Sequence, residues 1–267
     1  MSLFAPPAAF APPKIDWRLL LPVLVCAAAA TGVVASRANE ALFLAANAMA
    51  ATLLPDTAWA GITNLGSALG ALCLLAPTLA RWPRCAASAL LATPFASLFI
   101  HVIKYLANVP RPAAGLAGES IHIIGDTLRF YAFPSGHSMT AFVLAGVLVL
   151  CAKRSWSWAW LALPVAALVA FSRLAVGAHW PLDLLVGAAG GWATAAIGCA
   201  WAERWRFWEN VRGQRVLTAI IGVGALVFCF EDLKNPDGYW MQYTLCAIGI
   251  AGALYAGWRP AAARAAA

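Results

Sequence analysis

Charge is what this chain has least of. Only 11% of its 267 residues are charged, 63% are hydrophobic, and the mean hydropathy is +0.76. A soluble domain carries about 25% charged and about 45–50% apolar residues, so the composition excludes a soluble globular fold and implies an integral membrane protein. No polar linker divides the chain, so one packed unit is expected. No convincing internal repeat is present, which argues against a transporter built from inverted halves. No C-x-x-C occurs, and the odd count of seven cysteines argues against a disulfide framework. The cysteines stand singly in or beside apolar runs and read as small packing residues. Lys and Arg outnumber Asp and Glu by 18 to 11, but they are scattered between apolar runs and form no stripe, so nucleic acid is not an expected partner.

What is there is a series of apolar runs long enough to cross a bilayer. Eight are expected, over about 17–36, 57–79, 85–107, 135–152, 157–177, 181–202, 214–232 and 239–258. The stretch 41–54 is apolar but short, and reads as an interfacial or re-entrant helix. Lys14 and Arg18 ahead of the first run have the outline of a cleaved leader, but the run exceeds the ~7–15 residues of such a segment and is read as a span. Met1–Pro13, rich in Ala and Pro, reads as disordered. One set of span ends holds Lys14, Arg18, Arg81, Arg84, Lys153, Arg154, Arg204, Arg206, Arg212, Arg215, Arg259 and Arg264, and the other holds Arg37, Lys104, Arg111, Arg129, Arg173 and Lys234. By the positive-inside rule both termini are cytoplasmic, and the second set of ends faces out. Most tryptophans fall at span ends, whereas Trp192 is mid-span and is expected to pack inside the bundle. Gly66/Gly70 and Gly187/Gly191 have the spacing of close helix contacts.

Three strings on the outer side break the apolar pattern. In the first, Lys104 lies seven residues before Arg111, and Pro110 and Pro112 stop the helix. An ammonium and a forked guanidinium suit phosphate oxygens, although either residue alone fits an interfacial anchor. In the second, Pro134-Ser135-Gly136-His137 opens a helix with free N–H groups, a hydroxyl and no obstructing side chain at Gly136, which suits an anion or a plain capping turn. In the third, Arg173 precedes His179 by six residues and Asp183 follows it by four, so the imidazole and carboxylate can meet on one helical face. A carboxylate on one ring nitrogen leaves the other as a nucleophilic lone pair. The same pair could be half of a metal site, but no further ligand has suitable spacing, and no metal is expected. His101, one turn before Lys104, reads as a helix-bonded histidine.

Together, Lys-x6-Arg-Pro, Pro-Ser-Gly-His and Ser-Arg-x5-His-x3-Asp resemble the tripartite pattern of the type 2 phosphatidic acid phosphatase (PAP2) superfamily, with every position filled between Lys104 and Asp183. The resemblance implies an all-α polytopic bundle and metal-independent, cofactor-free hydrolysis of a phosphate ester or anhydride. It further implies that His179 attacks phosphorus, Asp183 holds it, and His137 protonates the leaving oxygen, while Lys104, Arg111, Ser135, Gly136 and Arg173 bind the phosphoryl oxygens. His122 and Arg129, in the loop between the first two strings, are candidates for head-group contacts. The expected organisation is a disordered cytoplasmic tail over 1–16, a six-helix phosphatase core over 17–202, and an added transmembrane helix pair with a short tail over 203–267. The expected substrate is a lipid phosphate or pyrophosphate, such as undecaprenyl pyrophosphate, a phospholipid phosphate or lipid A, met at the outer face of the cell inner membrane. A phosphotransferase using the same phosphoenzyme is an alternative, as is a transporter or scaffold with an idle site.

Overall fold

The computed structural model describes residues 17–116, 121–152 and 157–258. The expected tail over 1–16 lies outside them, as do Lys153, Arg154, Arg259 and Arg264 of the topological count. Eleven α-helices and no strand are found among the described residues: α1 Trp17–Ser36, α2 Asn39–Leu53, α3 Asp56–Asn64, α4 Ala68–Leu75, α5 Pro83–Ala107, α6 Pro112–Gly115, α7 Gly136–Cys151, α8 Ala162–Ala175, α9 Pro181–Trp205, α10 Val211–Phe230 and α11 Tyr239–Trp258. Outward faces are apolar (Leu24, Leu168, Val223, Leu226), as a surface in contact with lipid must be. The protein is an all-α integral membrane bundle.

α9 is the axis of the bundle and touches α1, α5 and α7. Its sequence is rich in Gly and Ala, which lets neighbouring backbones come close. A Cβ on Gly191 would lie 2.3 Å from the carbonyl oxygen of Met139 on α7, and one on Gly198 would lie 2.2 Å from that of Ser88 on α5. Only glycine permits both approaches. Trp192 is fully buried, as its mid-span position predicts, and its indole N–H donates to the carbonyl of Arg18 at 2.9 Å.

Helices form over all eight expected runs, but not each as one long apolar helix. Five described helices are long and apolar enough to cross a membrane, or six if the bent pair α2–α3 is one span. The run 57–79 is not one helix: α3 ends at Asn64, α4 begins at Ala68, and a 3-10 turn follows over Ala76–Thr78. The break is local chemistry, because Ser67 caps α4 by accepting from the N–H of Gly70 at 3.0 Å. The short stretch expected over 41–54 is α2, bent by 113° against α3. The 157–177 run opens with a 3-10 turn over Ser157–Leu161. α7 is a 16-residue helix, and α11, with Gln242 inside it, falls outside the five.

α2 braces the ends of two site helices. Asn39 Oδ1 accepts from the N–H of Leu182 at 3.0 Å, and Asn47 Nδ2 donates to the carbonyl of Leu174 at 2.8 Å. α10 and α11 pack on each other and on α4.

Candidate active site

Each of the three strings lies where a helix starts or stops, and the fold brings the three ends together. α5 ends at Ala107 and is capped by Asn108, which takes the left-handed conformation (φ 39°), and Pro110 and Pro112 then turn the chain. α7 starts at Gly136 behind Ser135, whose hydroxyl accepts from the N–H of Ser138 at 3.3 Å. α8 carries Arg173 in its last turn, the chain reverses through Gly177 (φ 72°), and α9 restarts at Pro181. Main-chain bonds lock the pieces: Ala178 N donates to Arg173 O at 3.0 Å and Ser135 N to Asp183 O at 3.0 Å. The Trp180 indole N–H donates to Pro110 O at 2.8 Å, tying the third string to the first.

His179 and Asp183 are both 2% exposed, with Nδ1 of the ring 3.1 Å from Oδ2 of the carboxylate. That oxygen also accepts from the N–H of Trp180 at 2.9 Å. With its Nδ1 proton on Asp183, the ring presents Nε2 as a lone pair, and Nη1 of Arg111 stands 3.4 Å from it. His179 lies between α8 and α9. Burial first, and then Arg111, Arg173 and Lys104, hold its pKa well below 6.5, so the ring is neutral.

The three cations are held by neutral oxygens. Lys104 Nζ donates to Tyr131 O at 2.6 Å, and Arg111 donates through Nε to Phe130 O at 2.8 Å and through Nη1 to Ala178 O at 3.1 Å. Arg173 Nη1 donates to the hydroxyl of Thr63 at 2.5 Å, and its buried Nε has no partner. Among the ion pairs of the described residues, none involves Lys104, Arg111 or Arg173. Three fixed cations against one carboxylate make a site that attracts an anion strongly at low local dielectric.

His137, in the first turn of α7, lines a cavity of about 480 Å³ between α4, α5 and α7. The walls are mostly apolar (Leu72, Leu75, Leu90, Val143), with Gly136, His137 and His101 toward the charged end. Between Ala89 and His101 the cavity follows α5 for about 18 Å at 1.5 Å per residue. A Cβ built on Gly136 would meet nothing within 4 Å, so the start of α7 opens onto free space.

Lys104, Arg111, Ser135, Gly136, His137, Arg173, His179 and Asp183 are thus assembled at one end of the bundle. His122 and Arg129 are not drawn into it. The His122 ring sits 2.9 Å from Asp56, while its main chain is bound by Asn47; Arg129 is exposed and meets the site only through its carbonyl, which accepts from Arg111 N at 2.9 Å. His101 is bonded within its helix, Nδ1 to Ser97 O at 2.7 Å, as its sequence position predicts. No group of three His, Cys, Asp or Glu placed to hold a metal ion occurs among the described residues. Asn39, Asn47 and Thr63 support the site and were not identified from sequence. The signal was their polarity inside apolar runs, where a polar side chain needs a partner.

Comparison with known proteins places this arrangement. Residues 85–208 match the model of the PAP2 superfamily. An undecaprenyl-diphosphatase of Sulfolobus acidocaldarius is 42% identical over 57 residues, 21% of this chain and 27% of its own length. Phosphatidylglycerophosphatase B of Escherichia coli K12 is 40% identical over 76 residues, 28% of this chain and 30% of its own. The matched stretches therefore span less than a third of these relatives. Among solved structures, Aquifex aeolicus LpxE superposes with a TM-score of 0.53 at 26% identity, covering 61% of this chain and 94% of that one.

Proposed function

We propose that the chain is a lipid phosphatase that hydrolyses a phosphate ester or pyrophosphate through a phosphohistidine, without a metal, at the outer face of the cell inner membrane. The observation that carries this reading is the His179–Asp183 pair, which leaves Nε2 unprotonated beside Arg111. In the first step Nε2 attacks phosphorus, the bond from phosphorus to the leaving oxygen breaks, and His137 gives that oxygen a proton. In the second, His137 takes a proton from water as the water oxygen attacks the phosphohistidine, which releases phosphate and restores His179. Charge accumulating on the equatorial oxygens is met by Lys104, Arg111, Arg173 and the N–H groups at the start of α7. These are the donors such a transition state requires.

The cavity supports a lipid substrate, since a mostly apolar space bordered by Gly136 and His137 fits a hydrocarbon chain attached to a phosphate. The relatives named for undecaprenyl diphosphate and phosphatidylglycerophosphate put lipid pyrophosphates and phospholipid phosphates first among the candidates, with lipid A phosphate also to be tested. The bias of Lys and Arg supports cytoplasmic termini and an outward site. On this reading residues 17–202 form the phosphatase core and 203–267 an appended pair. The test is phosphate release from a panel of lipid phosphates by the purified protein in detergent. Release that persists in EDTA and is inhibited by vanadate, which takes up five-coordinate geometry, is expected. Loss on chelation, restored by Mg²⁺ or Zn²⁺, would overturn the metal-free mechanism.

A further inference from the structure

Arg173 is anchored by a residue that lies outside the matched segment. Its guanidinium is planar and rigid, so fixing one nitrogen fixes the plane and the direction of the rest. Nη1 is fixed by the hydroxyl of Thr63, a buried residue near the end of α3 and 110 positions away in the chain. Nε is buried without an acceptor. A buried N–H left open on a cation is costly unless an anion completes it.

α3 is itself held by the C-terminal segment. Asn64 Nδ2 donates to Gly238 O at 2.7 Å, and the Trp240 indole N–H donates to Thr57 O at 3.1 Å. Gly61 lies under the Trp240 ring, where a Cβ would come within 2.3 Å of a ring carbon. The residue after Thr63 is therefore tied directly to the turn that opens α11.

We propose that Thr63 is a positioning residue, which orients Arg173 so that its unpaired edge meets a phosphoryl oxygen, and that the turn before α11 holds Thr63 in place by fixing α3. The proposal rests on the phosphatase reading for its substrate, but it concerns anion binding and is tested on that property too. In the full-length protein, Thr63→Val removes the hydroxyl at nearly constant volume, and Thr63→Ser keeps it. A hydrogen bond to a charged group is worth about 1.5–3 kcal/mol, or roughly 10- to 150-fold. Thr63→Val should therefore lower kcat/KM and raise the vanadate inhibition constant about tenfold or more, whereas Thr63→Ser stays within about twofold of wild type in both. If Thr63→Val fails to fold, Thr63→Ala against Thr63→Ser makes the same comparison. Equal losses in the Ser and Val variants, or a loss of kcat/KM and thermal stability with the vanadate inhibition constant unchanged, would overturn the proposal. Should the wild type release phosphate from no lipid, the phosphatase reading fails separately. Thr63 is then judged by the vanadate-induced rise in thermal midpoint, which Thr63→Ser should keep and Thr63→Val should lose; no rise in the wild type overturns the positioning role as well.

Discussion

The main-chain N–H of Ser135 donates to the main-chain carbonyl of Asp183 at 3.0 Å, so the residue that caps α7 is bonded to the residue that orients His179. The turn at the start of α7 and the His179–Asp183 pair are thus in register through backbone alone. Side-chain changes at either position alter chemistry while leaving this bond in place.

His179→Ala should abolish turnover. Asp183→Asn should lower kcat by two orders of magnitude or more with little effect on thermal midpoint, because it removes the charge that fixes the ring and almost no volume. Phosphate release and a melting curve on the same preparations check this. An active Asp183→Asn enzyme would show that the 3.1 Å contact does not orient the nucleophile.

Gly136→Ala isolates the open space at the head of α7. The added methyl meets no protein atom within 4 Å, and Ala favours a helix, so the variant should fold at least as stably as wild type. If phosphoryl oxygens occupy that space, kcat/KM should fall tenfold or more. Unchanged kinetics would move the phosphate elsewhere.

His137 reports on the leaving group. A monoester expels an alkoxide, which needs a proton in the transition state, whereas a pyrophosphate expels a phosphate that leaves readily as an anion. His137→Ala should therefore cost monoesterase activity about 10²–10⁴-fold and pyrophosphatase activity much less. Equal losses in kcat/KM on the two substrate types would return His137 to phosphate binding alone.

The lowered pKa of His179 carries a sign. An imidazole that resists protonation when folded but accepts a proton when unfolded makes the folded state lose stability as pH falls below the unfolded pKa of about 6.5. Between pH 7 and pH 5 the thermal midpoint of wild type should fall more steeply than that of His179→Asn. Parallel slopes would place the acid sensitivity in other groups.

Cysteines replacing Asp126 and Asp237 should react with an impermeant thiol reagent in intact cells, in a background free of native cysteines, and one replacing Arg212 should not. Reaction at 212 from outside would invert the topology drawn from the Lys and Arg bias.

Helix boundaries around the site are legible in the sequence because each is marked by residues with one local meaning: Pro110 and Pro112 after α5, Ser135-Gly136 before α7, Trp180-Pro181 before α9. The i, i+4 spacing of His179 and Asp183 likewise needs only helical geometry. The break between α3 and α4 is hidden, since Ile62, Leu65 and Leu69 keep the window apolar while Ser67 caps the second piece. The support given by Asn39, Asn47 and Thr63 is tertiary. Their partners Leu182, Leu174 and Arg173 are more than a hundred residues away, beyond the reach of any local pattern. His122 shows the converse: its loop position invites a role at the substrate, yet Asp56 already engages its ring.

The second donor to Asp183 is the backbone N–H of Trp180, not a side chain. No exchange of the residue at 180 can delete it, save one to proline. Position 180 is therefore free to be chosen for shape alone, and its indole fills that office by packing edge-on against Phe43 and reaching Pro110. Drift there would loosen the walls around His179 long before it disturbed the carboxylate, so substitutions at 180 should be read as changes in fit, with the His179–Asp183 pair intact.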